Sequence, residues 1–276
     1  GEVRKWDGSK IEGHGVYHTQ QDRPEFLSPG TLQHEGDIML ALVKQFGNQA
    51  LNDLKTENRV YFDFPGLGII HYPMSWNLAF CALLVMLFSS LFVINYQSKA
   101  IRLMPTLISA IGFLVLMAGL YLFYLGLWNA VRNFAPNYQT FAFVDNFTSY
   151  CYLITFISVN ITILGVIYVY VVRWLLPVEP TLGVAAVWLL LVLLTLNNGA
   201  NFLFYWPLLA QLASLALAGW PSIADKPILK TLSLLAGSTP GILLFAPLIK
   251  NLFVGLTPSF MAVIMVFLSL ILGLLF

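Results

Sequence analysis

The chain has 276 residues, of which 58% are hydrophobic and 10% charged, with a formal net charge of +1 and a mean hydropathy of +0.78. A soluble domain carries roughly a quarter of charged residues, so this composition excludes one, and so small a net charge excludes an electrostatically driven partnership with nucleic acid. All four histidines and ten of the thirteen acidic residues precede Tyr72, which confines metal or acid–base chemistry to the first quarter and leaves the rest for lipid.

Taken in chain order, residues 1–27 read as irregular, with Gly8, Gly13, Gly15 and Pro24 as breakers. No positively charged and apolar regions of a signal peptide follow Gly1. The missing methionine there, and Phe276 inside an apolar run, give the expectation of a piece of a longer protein. Ser28-Pro29 supplies an N-cap and a proline at the first helical position. Thr31 to Phe46 follows as a helix with Leu32, Met39, Val43 and Phe46 at helical spacing, and Gly47 as C-cap. Asn58–Tyr72, rich in β-branched and aromatic residues and broken at Pro65-Gly66, predicts two short strands. These segments, 1–57 and 58–75, are too short to build a core alone.

From residue 76 to the end the chain predicts a polytopic α-helical membrane domain, truncated at its C-terminus. A helix needs about 20 apolar residues to cross the hydrocarbon core, and seven stretches approach or reach that: Trp76–Asn95, Pro105–Trp128, Tyr150–Val172, Thr181–Leu196, Phe202–Trp220, Leu232–Phe253 and Pro258–Phe276. The fourth and fifth form a tight hairpin around Asn197-Asn198-Gly199-Ala200-Asn201, and Pro240 and Pro247 predict a kink in the sixth. Trp76, Tyr96, Trp128, Tyr150, Trp174 and Trp220 fall at stretch ends, the headgroup level.

Alternate loops carry Lys99, Arg102, Arg173, Lys226 and Lys230, against Arg132 and Lys250 in the others. This asymmetry places the first set in the cytoplasm and residues 1–75 on the non-cytoplasmic side. A bacterial inner membrane with a periplasmic arm satisfies that topology, and so does a vacuolar membrane with a luminal arm. Asn146-Phe147-Thr148 is a glycosylation sequon on a loop of that side. Cys81 and Cys151 read as buried inert thiols, with a single bridge as the alternative.

No Asp, Glu, Lys, Arg or His falls clearly inside the seven stretches, which argues against an ion-coupled pump. Asn77, Ser158, Asn160, Thr162 and Gln211 are the softer intramembrane polar groups. They are read as interhelical hydrogen bonders, with a lipid- or peptide-binding cavity as the alternative.

Among the histidines, His14 and His18 are four apart, but Gly13 and Gly15 oppose the helix that would pair them. His34, with Glu35 and Asp37, suits a solvated helix face, and His71 an interface. His18 stands in a distinctive run: Tyr17-His18-Thr19-Gln20-Gln21-Asp22, then Pro24-Glu25-Phe26-Leu27, then Leu32-Gln33-His34 at the head of a helix. This resembles the last metal-ligand loop of the co-catalytic di-zinc aminopeptidases, metallopeptidase family twenty-eight. Val60-Tyr61-Phe62-Asp63 and His71-Tyr72-Pro73 before a first span resemble its membrane-anchored branch. Recognisable words cover residues 14–80. Arg23 stands where the family commonly has threonine, and Gly13-His14-Gly15 departs from the usual lead-in.

The resemblance implies that residues 1–57 end an α/β zinc-peptidase domain whose other ligands lie upstream. It further implies that His18 is the last zinc ligand and that the complete protein, with two zinc ions, removes N-terminal residues from peptide substrates. Asp22 then orients that ligand or shapes the loop, as Tyr17 does, with a turn-capping role as the alternative for Asp22. One imidazole cannot hold two ions, so the chain alone is expected to be inactive. The alternatives are a transporter or channel subunit, or a catalytically dead peptidase-like scaffold.

Overall fold

The structure, a computed structural model, describes residues 23–48, 55–134, 149–256 and 260–275. A short 3₁₀ turn, Pro24–Phe26, leads into α1, Pro29–Phe46. Ser28 caps α1, its hydroxyl oxygen accepting from the Thr31 N–H at 3.4 Å. Gly47 closes it with an N–H donated to the Val43 carbonyl at 2.7 Å. All of α1 is exposed, its apolar side included, and no described element covers it.

The two predicted strands form an antiparallel hairpin of β1, Arg59–Phe64, and β2, Gly68–Pro73, in which Val60 pairs Tyr72 and Phe62 pairs Ile70. Gly66 and Gly68 turn it with φ of +84° and +79°, values that only glycine adopts without strain. Alternation points Val60, Phe62, Ile70 and Tyr72 inward, with Tyr61, Asp63, Ile69 and His71 outward.

The remaining elements are helices: α2 Trp76–Gln97, α3 Leu103–Phe134, α4 Ser149–Val171, α5 Val178–Leu194, α6 Phe202–Ala218, the single turn α7 Pro221–Ala224, α8 Pro227–Leu256 and α9 Met261–Gly273. Five helical stretches are long and apolar enough to cross a membrane, namely α2, α3, α4, α6 with its preceding 3₁₀ turn, and α8. α5 and α9 are apolar but shorter, at 17 and 13 residues, or about 25 and 20 Å of helix. The molecule is thus mainly helical, with the make-up of an integral membrane protein. No α/β domain is present among the described residues.

Helix ends follow local chemistry. α2 stops in a Schellman motif, with Ala100 N–H donating to the Asn95 carbonyl and Lys99 N–H to that of Tyr96. Lys99 takes the left-handed position (φ +58°) usually given to glycine. α5 starts three residues before the expected Thr181, because Pro177 and Pro180 fit a first turn whose N–H groups have no helical partner anyway. α8 runs unbroken through Pro240 and Pro247.

The core lies between α3, α5, α6, α8 and α9, with Trp188, Tyr205, Phe245 and Met265 buried there. Two close approaches need glycine. A Cβ at Gly183 of α5 would strike the Ser109 side chain of α3, and one at Gly237 of α8 would strike Ser214 of α6. Small residues let helix backbones approach where dispersion, rather than the hydrophobic effect, holds helices together. Cys81 is buried and Cys151 exposed, and both are free thiols. The expectation of two buried thiols therefore fails at Cys151, whose position on α4 faces away from the neighbouring helices.

Candidate functional site: the face that carries the arm

The hairpin lies across the ends of α2 and α6. Phe62 stacks on Phe202, the first residue of α6, with centroids 4.2 Å apart and planes 5° from parallel. Tyr72 meets Phe80 edge-on at 5.3 Å and lies near parallel to Trp76 at 6.5 Å. Phe80 in turn stacks on Tyr205 at 4.8 Å. Asn58 extends the ladder by accepting from the Met74 N–H at 2.9 Å.

Polar ties sit beneath these rings. Asn77 donates to the Leu196 carbonyl at 3.1 Å, and Asn198 caps the 3₁₀ turn Gly199–Asn201 through the Ala200 N–H. Asn201 donates to the Val192 carbonyl at 2.8 Å and the Thr195 hydroxyl at 3.0 Å. This folds the predicted polar turn of the α5–α6 hairpin inward against the sheet. The hairpin, unlike α1, is therefore fixed to the helices by aromatic stacking as well as by chain connectivity.

Tyr72 is the chemically unusual residue of this layer. Its hydroxyl and the Trp206 indole N–H are both buried without a well-formed hydrogen bond. Burial pushes the Tyr72 phenol up to about 12, nearby Tyr205 adds to the rise, and the Trp206 indole opposes it. The folded state thus holds this proton more tightly than the unfolded chain. The resulting stability is whole below pH ~10 and fades as pH climbs through the raised value. Tyr72→Phe deletes a hydroxyl that gains little, so at neutral pH it is expected to leave stability within about 1 kcal/mol of the parent. Above pH ~10 the parent should lose stability that the variant keeps. Thermal unfolding of both proteins across that range checks this.

His18, Tyr17 and Asp22 lie outside the described residues, as do His14 and the Asn146 sequon. Among the described residues, no group of three or more His, Cys, Asp or Glu could hold a metal ion, so these residues do not by themselves fit a zinc site. His34, Glu35 and Asp37 are exposed on α1, where Gln33 donates to Asp37 at 2.8 Å. His71 accepts from the Arg59 guanidinium across the hairpin at 2.8 Å.

Of the softer intramembrane groups, Asn160 is fully buried, and its Oδ1 accepts from the Tyr124 and Ser269 hydroxyls, each at 3.1 Å, linking α3, α4 and α9. Gln211 of α6 donates to the Leu274 carbonyl just past α9 at 2.7 Å. Ser158 and Thr162 are exposed and donate to carbonyls of their own helix. They face outward, whereas Asn160 faces α3 and α9. An open apolar groove of about 290 Å³ does run between α4 and α9, bordered by Leu164, Gly165, Tyr168 and Leu272.

Sequence reasoning missed one pair. Glu179, in the first turn of α5, is 0% exposed and ion-pairs with Arg102 at 2.8 Å. Its Oε1 accepts from the Arg102 backbone N–H and Nε, both at 2.8 Å. Its Oε2 accepts from Arg102 Nη2 at 2.9 Å and the Leu176 N–H at 2.8 Å. Arg102 Nη2 also reaches the Trp174 carbonyl at 3.2 Å. Pro-Val-Glu-Pro directly before an apolar run was the available signal, because a carboxylate there must find donors or remain in water. Compared with known proteins, the chain matches no family model, no curated protein and no solved structure.

Proposed function

We propose that this chain is the membrane-embedded part of a zinc-dependent exopeptidase of the aminopeptidase type. In this reading the intact protein hydrolyses peptides on the side of the membrane that carries residues 1–75. The observation that carries the reading is the run Tyr17-His18-Thr19 to Asp22 leading directly into a serine-capped, proline-initiated helix, α1, with a span-anchored hairpin after it. His18 would hold zinc, and the remaining ligands would come from sequence upstream of Gly1. Bound zinc would supply an activated water and polarise the scissile carbonyl. Asp22 would hold the His18 ring in place through its second nitrogen or through the loop.

Two further features favour this reading over a transporter. Among the described residues no charged group sits midway along an apolar helix, and Ser158 and Thr162 spend their hydroxyls on their own backbone. The periplasmic or luminal placement of the arm rests on the loop-charge asymmetry.

Metal removal tests the proposal. The intact gene product, purified in detergent, should contain close to two zinc ions and release N-terminal residues from aminoacyl peptides. Treatment with a strong chelator should abolish this activity, and added zinc should restore it. A zinc-free protein whose peptidase activity never rises above background would overturn the reading.

A further inference from the structure

We propose that the turn of the β1–β2 hairpin is a finger that rests in the lipid headgroup and glycerol layer of the leaflet beside it. Hairpin turns commonly set a polar Asn or Asp beside the glycine that the backbone needs. Here residues 64–70 read Phe-Pro-Gly-Leu-Gly-Ile-Ile without a charge or a polar side chain; Asp63 stands opposite Ile69, and Arg59 and His71 lie nearer the open end. Leu67 at the tip and Ile69 beside it are each 75% exposed, and Tyr61 on the same outward face is 74% exposed. No described element covers them.

Level and direction choose the occupant. Tyr72 packs on Trp76 and Phe80 in the opening turns of α2, and Phe62 stacks on the first residue of α6. The hairpin base is therefore level with the helix ends, where aromatic residues meet headgroups. Phe64 and Ile70, next to the turn, are half-buried against a cluster that includes Val60, Phe62 and Tyr72 of the hairpin itself. β1 also meets the turn Gly199–Asn201, so the hairpin packs along the helix ends as far as Phe62, and residues 65–69 beyond it are exposed. Leu67 is five residues beyond Tyr72 along the strand, about 17 Å, which carries the tip past the packed base. An uncharged apolar tip held at this level continues the lipid-facing surface of the helices below it. Interfacial anchors of this kind reach roughly 5–10 Å into the headgroup boundary. The inference does not depend on the peptidase reading, since it concerns the hairpin alone.

The test uses the whole chain in phosphatidylcholine nanodiscs, with Cys81→Ala and Cys151→Ala as background. Leu67→Cys is labelled with an environment-sensitive fluorophore, and Glu57→Cys, also exposed, serves as the aqueous control. The Leu67 probe should emit blue-shifted light, and lipids bearing a headgroup nitroxide should remove at least about half of its intensity. Aqueous iodide should act mainly on the control. Ile69→Cys should repeat the Leu67 result and guards against a local effect of one substitution. Water-like emission quenched by iodide would overturn the proposal. Blue-shifted emission that neither quencher reaches would overturn it equally, since a protein surface would then cover the tip.

Discussion

His18→Ala in the intact gene product is expected to lower aminopeptidase activity by roughly a hundredfold or more and to reduce bound zinc. Partners that merely orient a metal ligand typically cost 10–100-fold when lost, and a ligand itself should lie at or beyond that upper end. Asp22→Asn keeps the size of the side chain and removes its charge, so a drop of about tenfold is expected if it holds the imidazole. Its activity should stay at the parent level if Asp22 only shapes the turn. Zinc content measured beside activity separates a lost ligand from a damaged fold, because the membrane helices should unfold at the parent temperature in both variants. Unchanged zinc and unchanged turnover in His18→Ala would remove His18 from the metal site.

Glu179→Leu is expected to have the largest effect on stability. The buried carboxylate receives two backbone N–H groups and two guanidinium donors. Leucine would leave the Leu176 and Arg102 amides without an acceptor, at roughly 1–3 kcal/mol each when they stay buried. The Arg102 side chain is 54% exposed, so water can take over its guanidinium and the ion pair adds little beyond that. A loss of about 3 kcal/mol follows, which thermal unfolding in detergent would read as a fall of roughly 6–12 °C for a domain of this size. Arg102→Leu should cost less, since the main-chain donors to Glu179 remain. An equal or larger loss in Arg102→Leu would show the charge, not the amides, to be the dominant contribution.

The helices were legible because each is an apolar run near the length a bilayer demands, and the hairpin because Pro65-Gly66 interrupts a β-branched, aromatic segment. The start of α5 was not. Glu179 reads as a loop residue until its partner, 77 positions earlier, is known, and no local pattern encodes that distance. Asn160, Ser158 and Thr162 look alike in the sequence. Rotation of α4 decides which of them faces α3 and α9, and that rotation is set by packing partners far along the chain. His18, Tyr17 and Asp22 were legible as a word in the sequence, but the imidazole of a metal ligand has meaning only beside the other ligands. Those partners are not contiguous with it in the chain.

The tie of Asn160 to Ser269 spans 109 residues, and that of Asn77 to the Leu196 carbonyl spans 119. During biosynthesis neither can form until the later residue has left the ribosome, so α4 can pair early with α3 through Tyr124 but Asn160 and Asn77 must wait for these later partners. Closure around Asn160 therefore waits for α9, whose emergence brings the hydroxyl of Ser269 to the Asn160 side chain. Nascent chains stalled before Ser269 should expose the Asn160 face of α4 to lipid crosslinkers, and chains that include α9 should shield that face while the rest of α4 stays accessible.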